Sequence, residues 1–427
     1  ADGVRRLAGM FRRSSPPATA HAGPAGAQIA TAPQPQGARL LRHVWPLELP
    51  RVSETELLTS PHAGVFVDAH AVERRFLRYA PEFVDDPAAL GLARDTQPAV
   101  YRSPPPFLLT IPDAVLVGYR TLLLPDGFTN DAELGGAERD GYDELLASLD
   151  PFLNEETGLR RAPGAQAFRF EDGGRPERRV AGPHAVLCSH EPANYGSFLF
   201  RVVPKLLALR GQGLADLPVV VHAANRNVLR LLSLLGVAPE RIVQHETGMV
   251  TRIDRAIVPG LRNPHAYLDR ESALLFQSLG ERFSPGEPHR KLYVSRRSHA
   301  RAGGSTRVLG NENELIDRLA SLGFEIVEPE GLSMEEQIAL FASARIVVGP
   351  SGSAMFNIVF CRPGTKVVDI ESEKHWIYAH AGLFASCQLR YGFVSGVADP
   401  ADERPVHRRW SLDIDALVER IERFDRA

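Results

Sequence analysis

Three groups of residues in this 427-residue sequence have the types and spacing that handle anions or protons. The first is the turn "GPSGSAMFN", residues 349–357, set between the apolar run "ARIVV" and the stretch "IVFCRPGTKVVDIE". Ser351, Gly352, Ser353 and Ala354 carry small side chains or none, so backbone N–H groups at a helix start stay open to a phosphate or carboxylate. Asn357, about one turn along that helix, either faces the anion or bonds back to its own backbone. The second group is "LYVSRRSHARAGGSTRVLGNENEL", with Arg296 and Arg297 directly after an apolar run, Arg307 in a Gly-containing loop, and Asn311 and Glu312 at a helix start. Guanidinium forks make bidentate, charge-assisted bonds to phosphate oxygens, which is what a diphosphate needs. The third is "CSHEPANYGSFLFRVVPKL", residues 188–206, where His190 and Glu191 follow the run "HAVLCS". An imidazole or carboxylate at such a place can take a proton from an attacking hydroxyl, worth typically ~10²–10⁴-fold in rate. Each group also has a plain explanation: a tight strand-to-helix connection, a solvated basic loop and an ordinary surface turn.

The elements that must position these groups follow from the hydrophobic period. "HAVLCS", "LPVVVHA", "RIVQH" and "RAIVPG" are short buried-strand patterns separated by helical stretches such as "NRNVLRLLSLLG". After the break "RFSPGEPHRK" a second series follows: strand "KLYVSRR", helix "NENELIDRLASLG", strand "FEIVEP", helix "SMEEQIALFASA", strand "RIVVG", the small-residue turn, then strand "TKVVDI". Strand–helix alternation predicts two doubly wound α/β domains, with ligands at the carboxyl ends of the strands and between the domains. Ahead of them, "GVFVDAH", "FLLTI" and "AVLVGYRTLLLPDGF" read as short strands of a β-rich N-terminal region. The expected divisions are a disordered leader at 1–45, an acceptor-side α/β domain at 46–285, a donor domain at 286–375, and an extension at 376–427. The extension closes with the amphipathic helix "SLDIDALVERIERF", capped by Ser411 or Asp413.

Composition narrows the class. Hydrophobic residues make up 44% and charged residues 24%, ordinary for a folded globular chain, and no apolar run reaches membrane-spanning length. A formal charge of −3, from 49 Lys and Arg against 52 Asp and Glu, offers nucleic acid no general attraction. Any anion must be met by local groups. Cys188, Cys361 and Cys387 are far apart and suggest buried thiols in a reducing compartment, not a disulfide frame or zinc site. The start "GVRRLAGMFRR" alternates Arg pairs with apolar residues and can associate weakly with an anionic membrane surface, although a solvated basic tail explains it as well. No signal peptide is visible. "DID" at 413–415 is better explained by helix capping than by a metal, and no P-loop exists.

The residues from about 105 to 375 resemble glycosyltransferase family 61. The strongest stretch is 291–371, where Arg296, Arg307, Asn311-Glu312, Pro329-Glu330, Glu336-Gln337 and the Gly352/Asn357/Pro363-Gly364 run follow the family's order of motifs. The resemblance implies two Rossmann-like domains in the GT-B arrangement, facing across a cleft. It also implies an inverting transferase that moves a hexosyl or pentosyl group from a nucleotide sugar, UDP-linked in the family, to a glycan hydroxyl in bacterial capsular or related polysaccharide assembly. The donor would lie on Arg296, Arg297, Arg307, Asn311, Glu312, Glu330, Ser351, Gly352, Ser353, Ala354, Asn357 and Glu371, with Glu330 and Glu371 toward the ribose. The acceptor side would use Asn194, Tyr195, Ser197 and Arg201, with no metal or other cofactor. The location implied is cytoplasmic, at most peripheral on the inner face of the membrane. This chain departs from the family pattern in three places: Ser197 and Ser351 stand where His is usual, and Arg201 where Asp is usual. Arg201 stays protonated and cannot be a base. Glu191, with His190 second, is therefore the expected base; the alternative is a non-catalytic nucleotide-sugar or glycan-binding protein that has lost it.

Overall fold

A computed structural model of the chain describes residues 40–68, 74–86, 100–103, 105–133, 157–162, 167–189, 194–222, 224–263, 266–297, 307–372, 380–404 and 408–427. The basic start of the chain and the residues His190 and Glu191 lie outside these ranges. The fold is mixed α/β, with one large mixed sheet and a second, parallel sheet.

The first sheet is built on β1 (Phe107–Val117), β2 (Glu177–Val186), β3 (Val219–His222), β4 (Ile242–His245) and β5 (Val250–Pro259), in the order β4-β3-β2-β5-β1. β2 to β5 are parallel and β1 runs antiparallel beside β5. The Val- and Ile-rich runs that read as buried strands are these four. Short strands of the N-terminal region extend the same sheet beyond β1, because an antiparallel hairpin edge accepts them without a crossover. Leu40–His43, inside the stretch expected as leader, is one of them; it pairs with Phe168–Phe170 and buries Leu41. The long strands bulge together: Asp113 and Gly182 have φ of 49° and 78°, and the Asp254 carboxylate accepts the Gly182 N–H at 3.0 Å.

The second sheet contains β6 (Arg290–Val294), β7 (Glu325–Val327), β8 (Ala344–Pro350), β9 (Lys366–Glu371) and β10 (Arg390–Ser395), all parallel, in the order β7-β6-β8-β9-β10. Numbered along the chain this is 2-1-3-4-5, a doubly wound order whose switch point falls between β6 and β8. Phe83–Val84 forms the edge beyond β10, so the N-terminal region contributes to both sheets. β10, within the expected extension, continues this sheet. The final helix α5 (Ile414–Arg426), capped by Asp413, packs Ile414, Leu417 and Ile421 on the same core as β8 and β9.

Helix patterning follows local signals. α1 (Arg226–Leu234) is capped by Asn225, α2 (Arg270–Phe283) by Asp269, and α4 (Met334–Ala342) by a capping box of Ser333 and Glu336. α3 (Glu312–Ser321) starts at Asn311, whose side chain is engaged elsewhere. The helix after the small-residue turn, Ser353–Phe360, is 3₁₀ rather than α. Asn357 Nδ2 donates to the Ala354 carbonyl, a local bond that competes with the α pattern. One apolar cluster runs from Leu108 and Leu199 through Phe276 to Phe356 and Phe393, so both sheets share a continuous core.

Candidate functional site

The switch point brings together the ends of β6 and β8. Gly349 allows this: a Cβ there would lie 2.9 Å from the Val294 carbonyl and 2.8 Å from Met355 Sδ. Arg296, two residues past β6, crosses to the turn past β8 and donates from Nη1 to the Ser351 carbonyl at 3.0 Å. Its guanidinium occupies the space over Gly352, where a Cβ would meet Nη1 at 3.1 Å. Burial, with the charge of Arg307 nearby, pulls the Arg296 pKa down to about 10, which leaves it a cation at neutral pH. Thus the cation lies against a turn whose Ser351 N–H is already donated to the Ile370 carbonyl at 2.8 Å and whose half-buried Ser353 and Ala354 open the next helix, an arrangement suited to an anion of more than one phosphate.

The remaining donor-side residues divide by what their side chains touch. The Glu312 carboxylate accepts from Tyr293 O–H, Ser295 O–H and the Arg296 N–H at 3.1, 2.9 and 3.3 Å, which fixes the chain entering Arg296. Asn311 exchanges two bonds with the Leu412 backbone and ties α3 to the C-terminal segment. Arg297 donates to Asn313 Oδ1 at 3.3 Å and lies 3.6 Å from Glu328. Glu330 is exposed in the Pro329–Gly331 turn, and its charge, like that of Glu371, acts on Arg296. Asn357 is buried, accepting from Tyr195 O–H at 2.7 Å and donating to Gln337 Oε1 at 3.0 Å.

Behind the turn lies a group that the sequence did not suggest. Ser351 Oγ is 2.9 Å from His380 Nδ1, which is 3.2 Å from Asp369 Oδ2 and 4.0 Å from Glu371 Oε1. Asp369 and Glu371 alternate on β9 and so share a face; both are fully buried. Burial, reinforced by Asp369, pushes the Glu371 carboxyl up to about 8. Burial works to lower the His380 pKa, but the two carboxylates outweigh it and hold it above the usual imidazole range. Among the described residues, Asp369, Glu371 and His380 are the group able to hold a metal ion, with one ligand atom each within 4.8 Å of the others. Of the three, the sequence points to Glu371 alone. Asp369 is hidden in an apolar strand pattern and His380 lies outside any motif.

On the first-sheet side, Asn194 accepts the Ser197 N–H and the Ser353 hydroxyl, both at 3.2 Å. Together with the Tyr195–Asn357 bond, this clamps the acceptor-side segment to the donor turn. Gly196 packs directly on Phe356, whose ring lies where a Cβ would be. Ser197 is buried with its hydroxyl unpaired. Arg201, in a turn of π-helix at Phe198–Val202, pairs with Glu133 at 3.0 Å; the other Glu133 oxygen is 2.7 Å from Lys205 Nζ. The Ser189 hydroxyl donates to the same carboxylate at 2.7 Å. Glu133 and Lys205 have at most 1% side-chain exposure, so this is a buried charge cluster at the end of β2.

Residues 195–368 match the family model described as Glycosyltransferase 61. The match runs from the Tyr195 clamp through Arg296, the small-residue turn and Asn357 into β9, and stops one residue before Asp369. No curated protein matches the chain.

Proposed function

We propose that the protein is a glycosyltransferase that moves a sugar from a nucleotide sugar, UDP-linked, to a glycan hydroxyl with inversion at the anomeric carbon, in polysaccharide assembly. The observation that carries this is Arg296 laid over Gly352 at the switch point of a 2-1-3-4-5 sheet, inside the stretch that matches a glycosyltransferase family. In this scheme Arg296 and the N–H groups of Gly352, Ser353 and Ala354 stabilise the departing diphosphate, the preorganised electrostatic term that dominates many such reactions; the Ser351 N–H is held by the Ile370 carbonyl. Arg297 and Arg307 add positive potential, and Glu330, exposed in the Pro329–Gly331 turn, borders the ribose; Glu371 is buried behind the donor turn and does not. Glu312, Asn311 and Asn357 support the site through the bonds given above. Glu191 takes the acceptor proton, with His190 second. Asn194, three residues on, is bonded to the donor turn, which favours a base near the reacting carbon.

A second reading, a nucleotide-sugar-binding protein without transfer, is favoured by one observation: the carboxylate nearest Arg201 is neutralised by two cations. Calorimetry and a transfer assay separate them. Arg296→Lys should weaken UDP binding about tenfold, ~1.4 kcal/mol, and affect uridine much less, because an ammonium cannot reproduce the fork. Glu191→Gln should lower transfer by ~10²-fold with UDP affinity unchanged. UDP binding without transfer or donor hydrolysis in the unaltered protein establishes the second reading; equal losses for UDP and uridine remove Arg296 from the diphosphate.

A further inference from the structure

The buried group behind the donor turn has more carboxyl oxygens than its partners can serve. Asp369 and Glu371 are at most 1% exposed, and Asp369 Oδ1 and Glu371 Oε2 are buried with no hydrogen-bond partner. A buried carboxylate left this way carries a penalty of several kcal/mol. The cationic group against them is His380, and its one Nδ1 edge is already shared by Ser351 Oγ and Asp369 Oδ2. The Ser351 hydroxyl also hydrogen-bonds Glu371, yet Asp369 Oδ1 and Glu371 Oε2 stay unserved by it and by the single ring N–H. A cation in contact with both carboxylates and the ring nitrogen would serve them.

Distances and donor types indicate which cation. An ion held at roughly 2.0–2.2 Å from each ligand sets adjacent ligand atoms about 3 Å apart, close to the 3.2 Å between Nδ1 and Oδ2 and within modest closure of the 4.0 Å to Oε1. Mg²⁺ prefers an all-oxygen octahedron and keeps its waters, whereas Mn²⁺ and Zn²⁺ accept carboxylate oxygen together with imidazole nitrogen. Three protein ligands leave coordination positions open, as in metal sites that act on substrates.

We propose that Asp369, Glu371 and His380 bind one divalent transition-metal ion, Mn²⁺ or Zn²⁺, beside the Ser351–Ala354 turn. The site is new to the donor half, where the sequence led to no metal, and all three of its residues lie past the end of the stretch matched by the family. The site itself does not rest on the transferase reading.

The test is made without nucleotide. The full chain, stripped with EDTA and dialysed, is titrated with Mn²⁺ and separately with Zn²⁺ by calorimetry, with Mn²⁺ paramagnetic resonance as a second readout. The expected result is one saturable site per chain for at least one ion, weakened at least tenfold in Asp369→Asn and in Glu371→Gln, and not filled by Mg²⁺ at the same concentration. Both variants keep side-chain shape and remove a buried carboxyl, so they should fold, which circular dichroism verifies. His380→Gln is a third, independent variant. The ion should raise the unfolding temperature of the unaltered protein and not of the variants. No saturable binding of either ion at millimolar concentration, or equal binding in all three variants, overturns the site and leaves a protonated carboxyl–imidazole group in its place. Metal binding without nucleotide-sugar binding would instead overturn the transferase reading and leave the site standing.

Discussion

Arg201 is the residue whose chemistry conflicts most with its expected place, and the structure supplies a physical reason for it. A guanidinium replaces the carboxylate usual in the resembled family, and Glu133 brings a carboxylate to it from 68 residues earlier. Lys205, with no side-chain exposure, completes the cluster. Such a buried group contributes little net stability as a whole, but removing one member is costly, about 3–5 kcal/mol, because an uncompensated charge remains. Arg201→Asp should therefore destabilise the protein by that amount in urea unfolding, since it sets a second carboxylate against Glu133. Adding Glu133→Gln should recover much of the loss, because the introduced carboxylate then no longer faces the Glu133 charge beside Lys205. If Arg201→Asp alone is neutral, the cluster does not contribute as described. Restoring the family's Asp singly is thus a poor test of catalysis in this chain. The oddity of Arg201 was legible in the sequence; its partner was not, because no local pattern links a Glu in one segment to an Arg so far away.

At the scale of elements, the strand–helix alternation after residue 286 was legible because parallel strands buried on both faces leave continuous apolar runs. The helix beginning at Ser353 was legible as a helix but not as 3₁₀, which depends on the Asn357–Ala354 bond and on packing. Less legible still was the union of the β-rich N-terminal region with the first parallel strands. It is made by β1 and β5, whose antiparallel register joins positions more than 130 residues apart. The contact between the Asn194–Phe198 turn and the Ser353–Phe360 helix is equally non-local, and Gly196 shows its tightness. Phe356 is held by Phe200 at 5.9 Å and His380 at 4.6 Å between ring centroids, so it cannot swing away. Gly196→Ala should cost about 1–3 kcal/mol through overpacking, and Gly196→Ala with Phe356→Leu should cost less than the sum of the two single changes. A thermal-unfolding cycle on the two positions reads this coupling directly; strict additivity would mean the two elements do not press on one another.

Across the whole molecule, the two α/β series expected on either side of a cleft meet through one shared apolar core and through the Asn194, Tyr195 and Gly196 contacts. Composition could not indicate this, since either series alone has enough apolar residues for its own core. Buried titratable groups then set how the assembled fold responds to acid, and they pull in opposite directions. His245 is wholly buried; the Gly118 carbonyl can only accept, so Nε2 carries the proton and Nδ1 accepts from Thr251. Burial lowers its pKa to about 4. With an unfolded value of about 6.5, the unfolded chain binds more protons between those limits. The His245 contribution is therefore complete above about pH 6.5 and lost as the pH falls toward 4, on the order of 2–3 kcal/mol. Asp131 has the reverse sign: burial raises it to about 7, so its folded form holds a proton that the unfolded chain gives up, and it costs stability as the pH rises from about 4 to 7. The two largely offset each other in the total, so the unaltered protein alone is uninformative. Differences between variants isolate each group. In urea unfolding, the stability lost in His245→Gln should be largest at pH 7 and should shrink by on the order of 2 kcal/mol at pH 4.5. Asp131→Asn should gain on the unaltered protein as the pH rises from 5 to 8. Gaps that stay constant across these ranges would show that neither group changes protonation between the folded and unfolded chain.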